Sequence, residues 1–162
     1  YGVIPDLTTF AKAVTSGYQP LGGVLIGPAV RGPLEANPEF KLATSYTYSG
    51  HATACAAALA NLAIIEREGL VARATQIGER LGAGLQSIAA DGLVDHARGV
   101  GAMWAIGTHE GQHADHVRAR MLEHGVITRA IADHSVTFCP PLITTDQQID
   151  QIIDVLAAAT TE

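Results

Sequence analysis

The chain has 162 residues, 48% hydrophobic, 16% charged and only 5% aromatic, a length and balance that suit a real hydrophobic core and exclude a disordered acidic tail. Ten basic against sixteen acidic residues leave a formal charge of −6, which repels polyphosphate and excludes a nucleic-acid-binding arm. Two cysteines cannot build a disulfide framework and suit a reducing compartment such as the cytoplasm.

In chain order, Pro5-Asp6 predicts a short helix over 7–14 with Asp6 as its N-cap. A turn-rich stretch over 16–23 leads to a short buried strand at 24–26, one or two helical turns over 29–35 and an irregular segment over 37–48. A helix follows over 51–68, with a face of small residues from Ala54 to Ala63 that suits a buried helix or a subunit contact, and Gly69 stops it. Its apolar run, 52–65, is too short for a bilayer span and carries Thr53 and Asn61, so no membrane association is expected. Leu70, Ala74, Ile77, Leu81, Leu85 and Ile88 then follow helical spacing. Strands are predicted over 102–106, 126–130 and 135–138, with a helix over 114–123. Thr145 and Gln148 form a capping box for a last helix with Ile149, Ile152, Ile153 and Leu156 inward. From Leu70 onward this predicts helices layered on a small sheet. The N-terminal residues show no signal-peptide pattern, and Tyr1 in place of Met is expected to mark a truncated start.

Several short motifs fall away on chemistry. His109-Glu110-Gly111-Gln112-His113 fits a zinc-protease pattern, but that chemistry needs both histidines on one firm helix, and Gly111 and the preceding strand oppose a helix. No metal site is expected. Thr9-Phe10-Ala11-Lys12 lacks the partners of an acyl-transfer site. Gly22-Gly23 lacks the spacing of a phosphate-binding or dinucleotide loop. Lys12 and Lys41 are the only lysines. Lys12 stands at the end of the short, mostly apolar helix predicted over 7–14 and before a glycine-rich turn, where it is either an ordinary exposed helix-end lysine or one whose amine desolvation turns into a nucleophile or base.

Three segments in order carry a resemblance. Pro5-Asp6-Leu7-Thr8-Thr9-Phe10-Ala11-Lys12-Ala13 through Gly22-Gly23 resembles the lysine segment of class III pyridoxal-phosphate aminotransferases. Tyr46-Thr47-Tyr48-Ser49-Gly50-His51 with Ala54-Cys55 through Leu62 resembles the family's next signature. Val126-Ile127-Thr128-Arg129 through Cys139-Pro140-Pro141-Leu142 resembles its C-terminal one. The Thr-Tyr-Ser-Gly-His form is similar to the omega-aminotransferases.

The resemblance implies an α/β chain of the pyridoxal-phosphate transferase fold type I. It implies that residues 1–68 end the large cofactor domain and residues 69–162 form a C-terminal α+β small domain. It implies pyridoxal 5′-phosphate as cofactor, Lys12 as its Schiff-base lysine and proton carrier, and Thr47 as a ligand of the cofactor phosphate of the neighbouring subunit in a homodimer with shared sites. Arg129 is implied to grip the substrate carboxylate, a role suited to a planar guanidinium. The implied reaction is ping-pong transfer of an amino group from an amine or omega-amino acid to a keto acid, with pyruvate expected. A family aminomutase, or a truncated chain inactive by itself, are the alternatives. Departures are Ala13 and Ala52 where the family carries Gly and Pro, Thr44-Ser45-Tyr46 where it carries His-Gly-aromatic, and Ala132-Asp133 where it carries Gly-Asp. The family's phosphate-cradling Gly-Ser segment, ring-stacking aromatic and ring-nitrogen aspartate are expected upstream of Tyr1.

Overall fold

The computed structural model describes residues 2–43 and 45–161; Tyr1 and Thr44, both used in the sequence comparison, lie outside them. Two compact units divide the chain, Tyr1–Glu68 and Gly69–Glu162.

In the first unit, the helix expected over 7–14 is replaced by a strand and a tight turn. Strand β1 (Leu7–Ala11) pairs antiparallel with β2 (Gly22–Ile26), Leu7 opposite Ile26 and Ala11 opposite Gly22. Thr8, Thr9 and Phe10 explain the difference, since β-branched and aromatic side chains favour the pleated chain. Asp6 caps no helix; its carbonyl accepts the Gly27 N–H at 2.7 Å and extends the hairpin. A single 3-10 turn, Lys12–Thr15, follows β1. Within this unit β2 is not buried, with Val24, Leu25 and Ile26 about half exposed or more. Helix α1 (Pro28–Glu35) starts at a proline, whose missing N–H costs nothing there.

Helix α2 (Ala52–Arg67) begins where the His51 Nδ1 accepts the Ala54 N–H at 3.3 Å. Of its small face, Ala54 and Ala58 are buried, while Leu59 and Leu62 are exposed. Gly69, at φ +61, turns the chain into the next helix.

The second unit layers three helices on one sheet. Helix α3 (Leu70–Ala90) leads to β3 (His96–Val100), β4 (Met103–Gly107), α4 (Ala114–Glu123), β5 (Arg129–Ile131), β6 (Ser135–Phe138) and α5 (Asp146–Thr161), with antiparallel strand order β3-β4-β6-β5. β3 was not anticipated, because His-Ala-Arg-Gly-Val carries no apolar alternation. The strand expected over 126–130 starts only at Arg129. Alternate strand residues Ile106, Val136 and Phe138 meet Ile77, Leu81 and Leu85 of α3, Val117 and Met121 of α4, and Ile149 and Leu156 of α5 in one core. The expected capping box is present: the Gln148 N–H donates to Thr145 Oγ1 at 3.2 Å, and the Thr145 N–H to Gln148 Oε1 at 2.9 Å.

His109 to His113 form a turn rather than a helix, with Gly111 at φ +84 and His113 in the N-cap position of α4 without a side-chain cap bond. His109 Nε2 donates to the Gly92 carbonyl at 3.0 Å. No helix among the described residues is long and apolar enough to cross a membrane.

Arg80 of α3 clamps Asp150 of α5 bidentately, Nε to Oδ1 and Nη2 to Oδ2, both at 2.7 Å. This hydrogen bonding holds the Asp150 carboxyl below its usual value. A carboxyl lowered on folding stabilises above its unfolded pKa of about 3.9 and loses that contribution as pH falls through the lower folded value. Asp150→Asn should therefore flatten the acid limb of stability against pH, with variant and wild type converging at the acid end. Urea midpoints measured from pH 2 to 7 check this.

Candidate active site

Lys12 stands where β1 ends. Ala11 still pairs with Gly22, and the chain then bends through Lys12 at φ +53, a left-handed conformation uncommon outside glycine. Ser16 closes the same turn at φ +50, its N–H donating to the Ala13 carbonyl at 3.1 Å. Lys12, Ser16, Gln19, Leu21 and Gly22 line an open concavity of about 900 Å³. The Lys12 side chain is exposed and makes no ion pair or hydrogen bond among the described residues. The desolvation expected from its sequence neighbours is thus not supplied by this unit. A primary amine without a competing carboxylate, on the floor of an open hollow, fits the demands of a lysine that must bond an aldehyde cofactor.

Two residues that hold this turn escaped the sequence reading. Asn61 of α2 donates from Nδ2 to the Ala13 carbonyl at 2.9 Å and to the Val14 carbonyl at 3.2 Å. Thr15, 1% exposed, donates from its hydroxyl to the Gln19 carbonyl. The available signal was Asn61 itself, a lone amide seven residues after Ala54 on the helix face that Ala54 and Ala58 bury.

Thr47 opens the turn Thr47–Gly50 just ahead of α2 and is exposed. Around it the Tyr46 N–H donates to Ser49 Oγ and the His51 N–H to the Tyr48 carbonyl, while the Thr47 hydroxyl has no protein partner among the described residues. A free hydroxyl can donate a hydrogen bond to a phosphate oxygen. Thr47 is not among the residues lining the hollow at Lys12.

In the second unit, Arg129 begins edge strand β5 opposite Thr137. Register places Arg98, Ala105, Thr137 and Arg129 in one row across the sheet, on the face that the helices do not cover. Arg98 and Arg129 both line a concavity of about 740 Å³ there. Arg98 Nη1 lies 3.3 Å from His96 Nε2, and His96 Nδ1 lies 2.7 Å from Asp95 Oδ2, which fits an imidazole donating to the carboxylate and accepting from the guanidinium. That hydrogen bond from His96 lowers the Asp95 carboxyl. The Arg129 guanidinium has no partner among the described residues, so it is free to meet an anion. Its loop to β6 is tense, with Ala132 and Asp133 at φ +44 and +43.

Comparison with known proteins gives one consistent answer. The family described as Aminotransferase class-III matches residues 1–160. The diaminobutyrate–2-oxoglutarate transaminase of Halomonas elongata is 42% identical over 94% of this chain, which covers 36% of that protein. The acetylornithine aminotransferase of Bifidobacterium longum is 36% identical over 99% of the chain and is likewise covered to 36%. Among solved structures, a PLP-bound amine transaminase from an uncultivated Pseudomonas species superposes with a TM-score of 0.90 at 33% identity, covering 99% of this chain and 39% of that one. The chain thus spans little more than a third of the length of the curated relatives it matches.

Proposed function

Because the chain belongs to the class III aminotransferases, pyridoxal 5′-phosphate enzymes of fold type I, we propose that it carries the C-terminal portion of an enzyme that moves an amino group from an amine or omega-amino acid to a keto acid. In this reading Tyr1–Glu68 end the large cofactor domain and Gly69–Glu162 form the small domain. The observation that carries it is Lys12, an unpaired amine held in a left-handed turn on an open hollow.

When bound, the cofactor supplies the electron sink that acidifies the substrate Cα–H. Lys12 would hold the cofactor through its amine, then accept the proton from the substrate Cα and deliver it to the cofactor C4′, in two half-reactions that load and unload the amino group. Thr47 would donate its hydroxyl to the cofactor phosphate of a neighbouring subunit. Arg129 would take the substrate carboxylate in a two-point grip. The reading takes the enzyme as a cytoplasmic homodimer. It draws support from two free, exposed cysteines and from the apolar Leu59 and Leu62 exposed on α2.

Pyruvate is the keto acid this reading prefers, from the omega-aminotransferase form of the Thr47 segment. A second acceptor, 2-oxoglutarate, is favoured by the name of the Halomonas relative; comparing rates with each acceptor separates the two. Arg129→Ala in the full-length enzyme tests the carboxylate grip. A charge-assisted hydrogen bond is worth about 1.5–3 kcal/mol, or roughly 10–150-fold. The keto-acid half-reaction should slow by that factor, while a carboxylate-free amine donor reacts within about threefold of wild type. Equal losses in both half-reactions would remove the role of Arg129.

A further inference from the structure

We propose that Asn61 is a positioning residue for Lys12: it holds the strained turn that aims the lysine amine. This rests on Lys12 as the cofactor lysine.

Lys12 and Ser16 bracket the turn in left-handed backbone, at φ +53 and +50. For residues with a Cβ each such conformation is strained and persists only where the surroundings over-determine it. Within the turn, the Ser16 N–H satisfies the Ala13 carbonyl once. The Thr15 hydroxyl also lies 3.5 Å from the Lys12 carbonyl within the turn, and further ties come from outside it. One Asn61 amide nitrogen meets two successive carbonyls, those of Ala13 and Val14, from 48 and 47 residues further along the chain.

The geometry selects this side chain. Ala54 and Ala58, buried at 3% and 6% exposure, bring α2 close to the turn. Asn61 sits on the same face and reaches both carbonyls with its donating group. On the other side, the buried Thr15 hydroxyl ties the turn to the Gln19 carbonyl, so the segment after Lys12 is fixed from two directions. Lys12 itself makes no side-chain contact of its own among these hydrogen bonds. The direction in which its side chain leaves the main chain is therefore set by the backbone conformation that Asn61 and Thr15 hold. Without the amide, the turn can relax toward right-handed backbone and carry the amine off its line. A displacement of about 1 Å from the reacting geometry costs on the order of 100-fold in rate.

The test uses the full-length holoenzyme carrying Asn61→Asp, which keeps the side-chain shape but replaces the donating amide with an acceptor. Asn61→Ala serves as the second variant should the carboxylate prevent folding. Three quantities are measured: kcat and KM for the amine donor, the pH midpoint of the cofactor absorbance change, and the rate at which the absorbance band grows when cofactor is added to stripped enzyme. The expected result is a kcat lower by about tenfold or more with KM within about twofold, a displaced pH midpoint and slower band growth. A residue that only stabilised the fold would lower the melting temperature and leave all three at wild-type values; that outcome overturns the proposal. Lys12→Ala runs alongside. If Lys12→Ala still binds cofactor covalently and turns over, the reading beneath the proposal falls with it. If Lys12→Ala is silent while both Asn61 variants match wild type, the positioning role of Asn61 alone is refuted.

Discussion

Lys12→Ala is expected to abolish turnover in the full-length enzyme, by about 1,000-fold or more, and to leave the cofactor removable by gel filtration. Two functions leave together if Lys12 plays the role proposed for it. The amine that bonds the cofactor is gone, so retention depends on non-covalent contacts alone. The group that moves the proton is gone as well, and a positioned acid or base is worth roughly 10²–10⁴ in rate. Lys41, the other lysine of the chain, is exposed in an irregular stretch, and Lys41→Ala should behave as wild type. Steady-state rates with an amine donor, read beside the absorbance of the desalted protein, check both statements. A Lys12→Ala enzyme with a tenth of wild-type activity would contradict them.

The second large effect concerns stability. Gly78 lies buried in α3 against the two-residue turn between β3 and β4, and a Cβ there would stand 1.9 Å from the Gly101 carbonyl oxygen and 2.4 Å from its carbon. Neither partner can yield easily. One is helix backbone, and the other is a glycine at φ +53 whose carbonyl also accepts the Trp104 indole N–H at 3.0 Å. One turn along α3, Gly82 leaves room for the Trp104 ring, which would lie 2.1 Å from an added Cβ. The two glycines therefore set how closely α3 approaches the sheet. Gly78→Ala should cost about 1–3 kcal/mol or more through overpacking. In a unit of this size that lowers the melting temperature by roughly 4–20 °C, measurable by circular dichroism. A melting temperature equal to wild type would show that helix and turn separate freely.

The second unit was largely legible in the sequence because its helices carry regular apolar spacing and its last helix announces itself with Thr145 and Gln148. β3 was not legible: as an edge strand it presents Arg98 and His96 on an open face and gives no alternation to read. The error at 7–14 has a different origin. Proline and aspartate suggest a helix start, but Thr8, Thr9 and Phe10 prefer extended backbone and pair with Leu25, Val24 and Gly23 of β2. Local start signals lost to a tertiary pairing. The site followed the same division. Lys12, Thr47 and Arg129 stand in segments resembling known motifs, so their positions could be proposed from sequence. Asn61 stood out in sequence only as a lone amide on a small helix face; its role could not be read, because its partners are main-chain carbonyls far away in the chain.

The proposed function stands or falls on whether Lys12 bonds the cofactor. The most direct measurement loads the full-length enzyme with pyridoxal 5′-phosphate, reduces it with borohydride, digests it and maps the modified peptide by mass spectrometry. The pyridoxyl group is expected on Lys12. A pyridoxyl group on Lys41 or on any other residue, or no modified peptide at all, would contradict it.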